Sequence, residues 1–306
     1  MSFDTILGNE KIKNLLKNTV SSHNLLHSYL FIGPNGIGKS LFAQEFAEMI
    51  LCLSDSKPCH ACSSCVKFDS HNHPDFLMID SEDGKSIKIN QIRYLQEKIA
   101  EKPILSNRKV YVINNSDLMT TEAQNCLLKT LEEPPEYATI ILVLANENKL
   151  LNTIKSRGTK ILFSSLSNDE LEKYAKENNI AVNSALLTIC EGSIAKLLDL
   201  QNNTSAYATL DVLLQDLPKK DIVDIWNEAD ILYGSKDSIV SLLDYLILVL
   251  FQQLKDTKEE KYQNSIKIIE MTKKRLSANA NYDMCIDNLL LKIWEEFHES
   301  NNRNSI

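Results

Sequence analysis

The run Gly33-Pro34-Asn35-Gly36-Ile37-Gly38-Lys39-Ser40 has glycine at its first and sixth positions, followed by Lys and Ser, which is the spacing of a phosphate-binding loop. Glycines there let successive backbone N–H groups turn toward phosphate oxygens, and a helix opening at the lysine adds positive potential. Lys39 would reach the β- and γ-phosphates and the Ser40 hydroxyl would hold Mg²⁺. Gly33, Asn35, Gly36, Gly38, Lys39 and Ser40 are therefore the expected contacts to ATP or ADP with Mg²⁺. Hydrolysis also needs carboxylates at the end of a later strand, one to help hold the metal and one to polarise the attacking water. Lys109-Val110-Tyr111-Val112-Ile113 has the pattern of that strand, and it runs into Asn114-Asn115-Ser116-Asp117. An amide keeps the size and a neutral acceptor oxygen but brings no charge and takes up no proton at neutral pH. Loss of a general base alone costs about 10²–10⁴ in rate. Asn114 and Asn115 are thus degenerate acidic positions, and Asp117 is the acid that would have to stand in for them.

Four cysteines, Cys52, Cys59, Cys62 and Cys65, fall in one short segment with Pro58 helping the chain turn between them. Soft thiolates in a tetrahedral set suit Zn²⁺, and a site closed by four of them is structural because no position remains for water or substrate. Free thiols or a regulatory disulfide are the alternatives, and His60, His71 and His73 are nearby substitutes for a ligand. His73, in front of Pro74-Asp75, reads better as the entry to the next strand. Cys126, Cys190 and Cys285 sit among apolar neighbours and read as core.

The elements that position these groups follow from periodicity. Short β-rich runs at Ser28–Ile32, Phe76–Asp80, Val110–Ile113, Thr139–Leu144 and Lys160–Phe163 alternate with helical patterns at Lys39–Leu51, Asn90–Glu101 and Thr120–Glu132. That alternation is the signature of a parallel sheet covered by helices. After Phe163 the pattern is helix after helix: Asn168–Glu177, Asn183–Cys190 and Ser193–Leu200, then a polar linker at Gln201–Ser205, then Ala206–Leu214, Ser238–Lys255, Lys258–Arg275 and Tyr282–His298. A chain of 306 residues has room for two or three such units. Its net charge of −8 argues against a general basic surface for gripping nucleic acid. The longest apolar stretch, Ile239–Phe251, is interrupted by Asp244 and falls short of the roughly 20 residues a bilayer demands, so no membrane partner is expected. Met1 to Glu10 does not read as a secretory signal, and a cytoplasmic location is expected.

Four stretches together resemble the subunits of bacterial DNA polymerase III clamp loaders, most closely those of the delta-prime kind. They are Phe3-Asp4-x-Ile6-Leu7-Gly8-Asn9-Glu10; His27-Ser28-Tyr29-Leu30-Phe31 leading into the phosphate loop; the cysteine cluster followed by Asn72-His73-Pro74-Asp75; and Ala123-x-x-Cys126-Leu127-Leu128-Lys129-Thr130-Leu131-Glu132-Glu133-Pro134-Pro135. The resemblance is specific over about residues 1–200 and architectural beyond. It implies an α/β plus all-α fold: a RecA-like AAA+ P-loop domain with a parallel sheet over residues 1–165, carrying the zinc insertion at about 52–65; a small helical lid over 166–203; and a C-terminal helical collar over 204–306. The family's Ser-Arg-Cys motif appears as Ser156-Arg157-Gly158, and its arginine is offered to the nucleotide of a neighbouring subunit. Arg157 is accordingly the expected finger in trans, with a plain surface arginine as the alternative. Ala195, in Glu191-Gly192-Ser193-Ile194-Ala195-Lys196, stands where active relatives place a nucleotide-sensing arginine.

A P-loop without its acids, together with a retained finger, implies a non-hydrolysing stator that completes a neighbour's ATP site during sliding-clamp loading. The implied partners are gamma/tau-type motor subunits and a delta subunit in a hetero-pentamer, the sliding clamp, and primed DNA through the complex. An active clamp-loader ATPase relying on Asp117 or another acid is the rival enzyme reading. A zinc-stapled, nucleotide-sensing interaction module outside replication is the rival from another class.

Overall fold

Tyr29 to Ile32, Val110 to Ile113 and Ile140 to Leu144 are apolar at every position, as strands covered on both faces must be. The computed structural model describes residues 3, 6–81, 85–180, 182, 184–202, 204–236, 238–278 and 280–303. Asp4, Asn183 and Asn203, which belong to segments singled out in the sequence, lie outside the described residues. The chain divides into two compact units, Met1–Asn178 with Glu191–Ala195, and Asn179–Cys190 with Lys196–Ile306.

The first unit holds a five-stranded sheet: β1 (Ser28–Ile32), β2 (Phe76–Ile79), β3 (Lys109–Ile113), β4 (Ala138–Leu144) and β5 (Thr159–Leu162), in the spatial order β2-β3-β4-β1-β5. Every pairing is parallel. Its helices are α1 (Glu10–Ser21), α2 (Lys39–Leu51), α3 (Ser63–Asp69), α4 (Ile89–Ala100), α5 (Thr121–Glu132), α6 (Asn152–Lys155) and α7 (Asn168–Glu177). The pleat sends alternate side chains to opposite faces. Phe31, Val110, Val112, Ile141 and Val143 join Leu16 of α1 and Phe42 and Phe46 of α2 in one core. Leu30, Ile32, Tyr111, Ile113, Ile140 and Leu142 join Ile92 and Leu95 of α4 and Leu127 of α5 in the other. Ligand crevices of such sheets lie beyond the carboxyl ends of the strands. The phosphate loop leaves β1 there, and the Asn114-Asn115 pair leaves β3 at the same end.

The second unit is helical among the described residues. It comprises α8 (Ser184–Cys190), α9 (Ile194–Asn202, from Lys196 on), α10 (Thr204–Asp216), α11 (Ile222–Glu228), α12 (Asp230–Gly234), α13 (Ile239–Thr257), α14 (Glu260–Ser277) and α15 (Tyr282–Arg303). Leu242, Leu243, Leu246 and Leu250 repeat at helical spacing along α13 and are buried. Asp244, which interrupts that apolar stretch, is paired with Lys273 of α14. Of the expected linker Gln201–Ser205, Gln201 and Asn202 end α9 and Thr204 and Ser205 open α10, while Asn203 lies outside the described residues. Polar Gln, Asn, Thr and Ser read as a connection, but helix ends with one solvated side tolerate them.

A buried polar knot fixes the cysteine segment to the sheet unit. Asp75, 1% exposed, accepts backbone N–H bonds from Ile104, Leu105 and Ser106 at 2.7, 2.8 and 2.8 Å. His73 accepts from the Asp75 N–H at Nδ1 (3.0 Å), which leaves Nε2–H to donate to Ser64 Oγ at 2.8 Å. The Ser64 and Ser106 hydroxyls both donate to the Leu51 carbonyl at 2.7 Å.

Asp75→Ala would leave three backbone donors without an acceptor, at about 1 kcal/mol or more each. Amide hydrogen exchange at residues 104–106 is expected to accelerate by about 10², and unchanged protection there would disprove the clamp. Burial also depresses the His73 pKa below its ordinary 6.5, against the pull of Asp75. The folded chain therefore binds fewer protons than the unfolded one at mildly acid pH, so this stability is complete above pH 6.5 and is lost as pH falls below it. Thermal unfolding midpoints between pH 7.5 and 5.5 should drop more steeply for the parent chain than for His73→Asn, which keeps a short acceptor but does not titrate. Parallel profiles would contradict this.

Candidate functional site

The loop after β1 has the backbone its glycines predict. Gly36 and Gly38 lie at φ +76° and +91°, and α2 opens at Lys39. A Cβ at Gly33 would come within 2.6 Å of the Phe163 carbonyl, so close packing against the end of β5 requires glycine there as well. Lys39 is buried, and its Nζ donates to the carbonyls of Gly33 (2.7 Å) and Pro34 (2.5 Å). Burial pushes the amine down to about 8, and the Asp117 carboxylate pulls the other way. Asn35 is exposed, while Ser40 Oγ accepts a long bond from Gln44 Nε2 at 3.4 Å. Ala195 sits directly on this loop: its N–H donates to the Gly36 carbonyl at 3.2 Å. A Cβ added at Gly36 would meet Ser193 Oγ at 2.1 Å and Ala195 Cβ at 2.8 Å. Small residues at 193 and 195 are what let this segment lie so close.

At the end of β3 the two amides are occupied. Asn114 Nδ2 donates to Asp80 Oδ2 at 2.7 Å and Asn115 Nδ2 to Asp80 Oδ1 at 2.9 Å, while the Ser81 N–H also reaches Oδ1 at 2.7 Å. Asp80 directly follows the neighbouring strand β2, and sequence reasoning gave it no role. The signal was an acid at a strand end, but its use depends on β2 lying beside β3, which only the sheet order reveals. Acids at positions 114 and 115 would set three carboxylates together, so the amides and Asp80 are mutually fitted. Asp117 Oδ2 accepts from the Asn146 N–H at 3.2 Å, just beyond β4, and its field reaches Lys39.

Arg157 lies at the other end of the sheet from its own loop. β5 pairs with β1 in the register Tyr29↔Thr159 to Ile32↔Leu162, with Arg157 preceding β5 and Gly33 following β1. Four paired residues, about 10 Å of strand rise, lie between the turn that carries Arg157 and the start of the loop at Gly33, so the two leave the pair at opposite ends. The guanidinium is held locally. Nη2 lies 2.8 Å from Glu132 Oε1, and Nη1 donates to the Thr153 carbonyl at 2.8 Å. Gly158, where the resemblance expects cysteine, packs against Leu30: a Cβ there would meet its Cγ at 2.8 Å.

The four cysteines come together. Their Sγ atoms all lie within 4.8 Å of one another, with Cys52–Cys62 and Cys59–Cys65 at 4.0 Å. A tetrahedral tetrathiolate with metal–sulfur bonds of about 2.3 Å needs S···S near 3.8 Å, whereas a disulfide needs about 2.05 Å. All seven cysteines are free thiols. The Cys62 N–H points at Cys59 Sγ (3.3 Å) and the Cys65 N–H at Cys62 Sγ (3.5 Å), the donors that suit thiolates. Backbone N–H groups of Ala61 and Cys62 lower the Cys59 thiol. At Cys62 burial works upward, yet the N–H groups of Cys65 and Leu53 bring it down to about 6. Burial raises Cys52 and Cys65. The set could hold a metal, and the three histidines are not part of it. His73 is committed to Ser64 and Asp75, and His71 is exposed. His60 Nδ1 lies 3.0 Å from Glu48 Oε1 of α2; with Asp69 these form a second group whose ligand atoms lie within 4.8 Å.

Residues 8–167 match the family model described as DNA polymerase III, delta subunit. The chain is 30% identical to DNA polymerase III subunit delta' of Bacillus subtilis over 93% of its own length and 96% of that protein. It is 32% identical to DNA polymerase III subunit gamma/tau of Mycoplasma pneumoniae over 65% of this chain and 28% of that one. In fold it is similar to a DNA polymerase III gamma subunit-related protein of Thermotoga maritima, with TM-score 0.55 and 18% identity over 92% of this chain and 99% of the other. The chain belongs to the delta-prime family of DNA polymerase III subunits, with the role of a clamp-loader subunit in DNA replication.

Proposed function

We propose that this chain is a stator that supplies Arg157 in trans to the ATP site of a neighbouring gamma/tau-type subunit and turns over little or no nucleotide itself. The observation that carries the reading is the β1–β5 register, which sets Arg157 and the chain's own phosphate loop at opposite ends of the strand pair. That placement supports an arginine directed at a second molecule's nucleotide. Asn114 and Asn115 supply no charge to a metal and spend their amide protons on Asp80. ATP or ADP with Mg²⁺ would bind at Gly33, Asn35, Gly36, Gly38, Lys39 and Ser40, with Lys39 leaving its loop carbonyls for phosphate. The assembly is a cytoplasmic hetero-pentamer with motor subunits and a delta subunit, acting on the sliding clamp and primed DNA. The domains run 1–165, 166–203 and 204–306, the last as the collar. Among the described residues, no helix is long and apolar enough to cross a membrane.

Cys52, Cys59, Cys62 and Cys65 hold structural Zn²⁺, supported by their sulfur spacing and by the N–H groups aimed at sulfur. Four thiolates close the coordination shell, so the ion staples the chain between α2 and α3 and does no chemistry.

Arginine fingers in nucleotide hydrolases are worth about 10³–10⁵ in rate. Arg157→Ala in a reconstituted loader should remove one site's share of the DNA- and clamp-stimulated ATP turnover; unchanged turnover would refute the finger. One specific observation favours the rival, a true ATPase: the field of Asp117 on Lys39. Turnover by the isolated chain that disappears in Lys39→Ala would establish that rival. For the metal, the purified chain should contain one equivalent of zinc, and its removal should expose four additional titratable thiols. Thiols that are freely titratable in the untreated chain would exclude a filled site.

A further inference from the structure

Glu132 closes α5, within the Leu131-Glu132-Glu133-Pro134-Pro135 stretch, and neither nucleotide binding nor the sheet accounts for its carboxylate. We propose that Glu132 is the positioning residue for Arg157, holding the guanidinium in the pose from which it engages the neighbouring subunit's nucleotide. This rests on the reading of Arg157 as a finger in trans.

The geometry is a three-part mount. On one side, Gln124 of α5, 4% exposed, donates from Nε2 to the carbonyls of Met119 (3.1 Å) and Lys149 (3.0 Å), and its Oε1 accepts from the Leu151 N–H at 2.8 Å. That pins the start of α6 to α5. Leu127 and Leu131 of α5 share one core with Leu150 and Ile154, which pins the middle. Glu132 lies eight residues beyond Gln124, at the C-terminal end of α5 and about 80° further around the helix. From there its Oε1 takes Arg157 Nη2 at 2.8 Å, while Nη1 is held by the Thr153 carbonyl at 2.8 Å.

An exposed arginine otherwise samples many rotamers, and ordering it in advance lowers what binding must supply. A guanidinium carries five N–H donors. Glu132 and Thr153 engage Nη2 and Nη1, with a long contact from Nη1 to Ser156 Oγ at 3.5 Å, and five donors are more than these three acceptors use. The pair is partly exposed, with side-chain accessibilities of 34% and 49%, so it adds little to stability. Its value is orientation.

The test is a double-mutant cycle in a reconstituted loader whose only competent ATP site is the one facing this chain. Arg157→Ala should cut stimulated turnover by at least about 10². Glu132→Ala should cut it by about tenfold without moving the thermal unfolding midpoint, and Glu132→Gln, which keeps the acceptor oxygen, should recover part of that loss. Glu132→Ala should add nothing in the Arg157→Ala background, because a residue that acts only through the arginine has nothing left to position. A Glu132→Ala effect that persists undiminished without Arg157, or no effect in the parent chain, overturns the positioning role while leaving the finger intact. Unchanged turnover in Arg157→Ala overturns both, and so separates failure of the finger from failure of its mount.

Discussion

In a parallel strand pair, whatever enters one strand and whatever leaves its neighbour sit at opposite ends of the sheet. β1 and β5 are such a pair, with Tyr29 opposite Thr159 and Ile32 opposite Leu162. The phosphate loop occupies the carboxyl end and Arg157 the amino end, and the separation is enforced by backbone hydrogen bonds that no side-chain rotamer can undo. A loop at one end and an arginine at the other are thereby kept apart within one chain. The same constraint explains why Arg157 is tied to Glu132 and Thr153: within one chain no phosphate lies in its reach, and α5 and α6 provide the nearest acceptors.

At the carboxyl end the chemistry is balanced differently. A buried lysine needs acceptors, and Lys39 finds them in Gly33 and Pro34. Its depressed pKa shows that these carbonyls do not replace the solvation lost on burial. Phosphate would restore that charge balance. Hydrolysis is another matter, because the positions that would carry acids are two amides already bound to Asp80. Ala195 completes the arrangement, since it packs on Gly36 with no side chain long enough to reach a nucleotide.

Periodicity located all five strands and the long helices other than α1, because burial on both faces of a sheet and on one face of a helix leaves a local imprint in composition. The phosphate loop, the cysteine set and Arg157 were legible for a similar reason: each is a contiguous motif. Asp80 was not, because its partners lie on another strand and adjacency in a parallel sheet is not written in sequence order. Nor was Glu132, which sits 25 residues before the arginine it binds. The short helix α3 was missed because seven residues crowded with cysteine and serine show no hydrophobic period. At Gln201–Ser205 composition did not reveal that helix reaches Asn202 and resumes at Thr204, since polar residues mark solvent exposure as readily as they mark a loop.

The cysteine segment belongs to the same unit through more than its sulfurs. Cys52 caps α2, the helix that opens at Lys39, and Cys65 lies within α3. Leu51, one residue before Cys52, accepts hydrogen bonds from Ser64 and Ser106, and Ser106 is bound by Asp75 at the entry to β2. His60 against Glu48 adds a second tie between the cysteine turn and α2. The far end of the P-loop helix is therefore fixed by polar bonds to the sheet unit before any metal is considered. A metal in the thiol set would add rigidity to a helix end already anchored, and it would do so at the opposite end of α2 from the phosphate loop. Its natural effect is on the stability and surface of the segment.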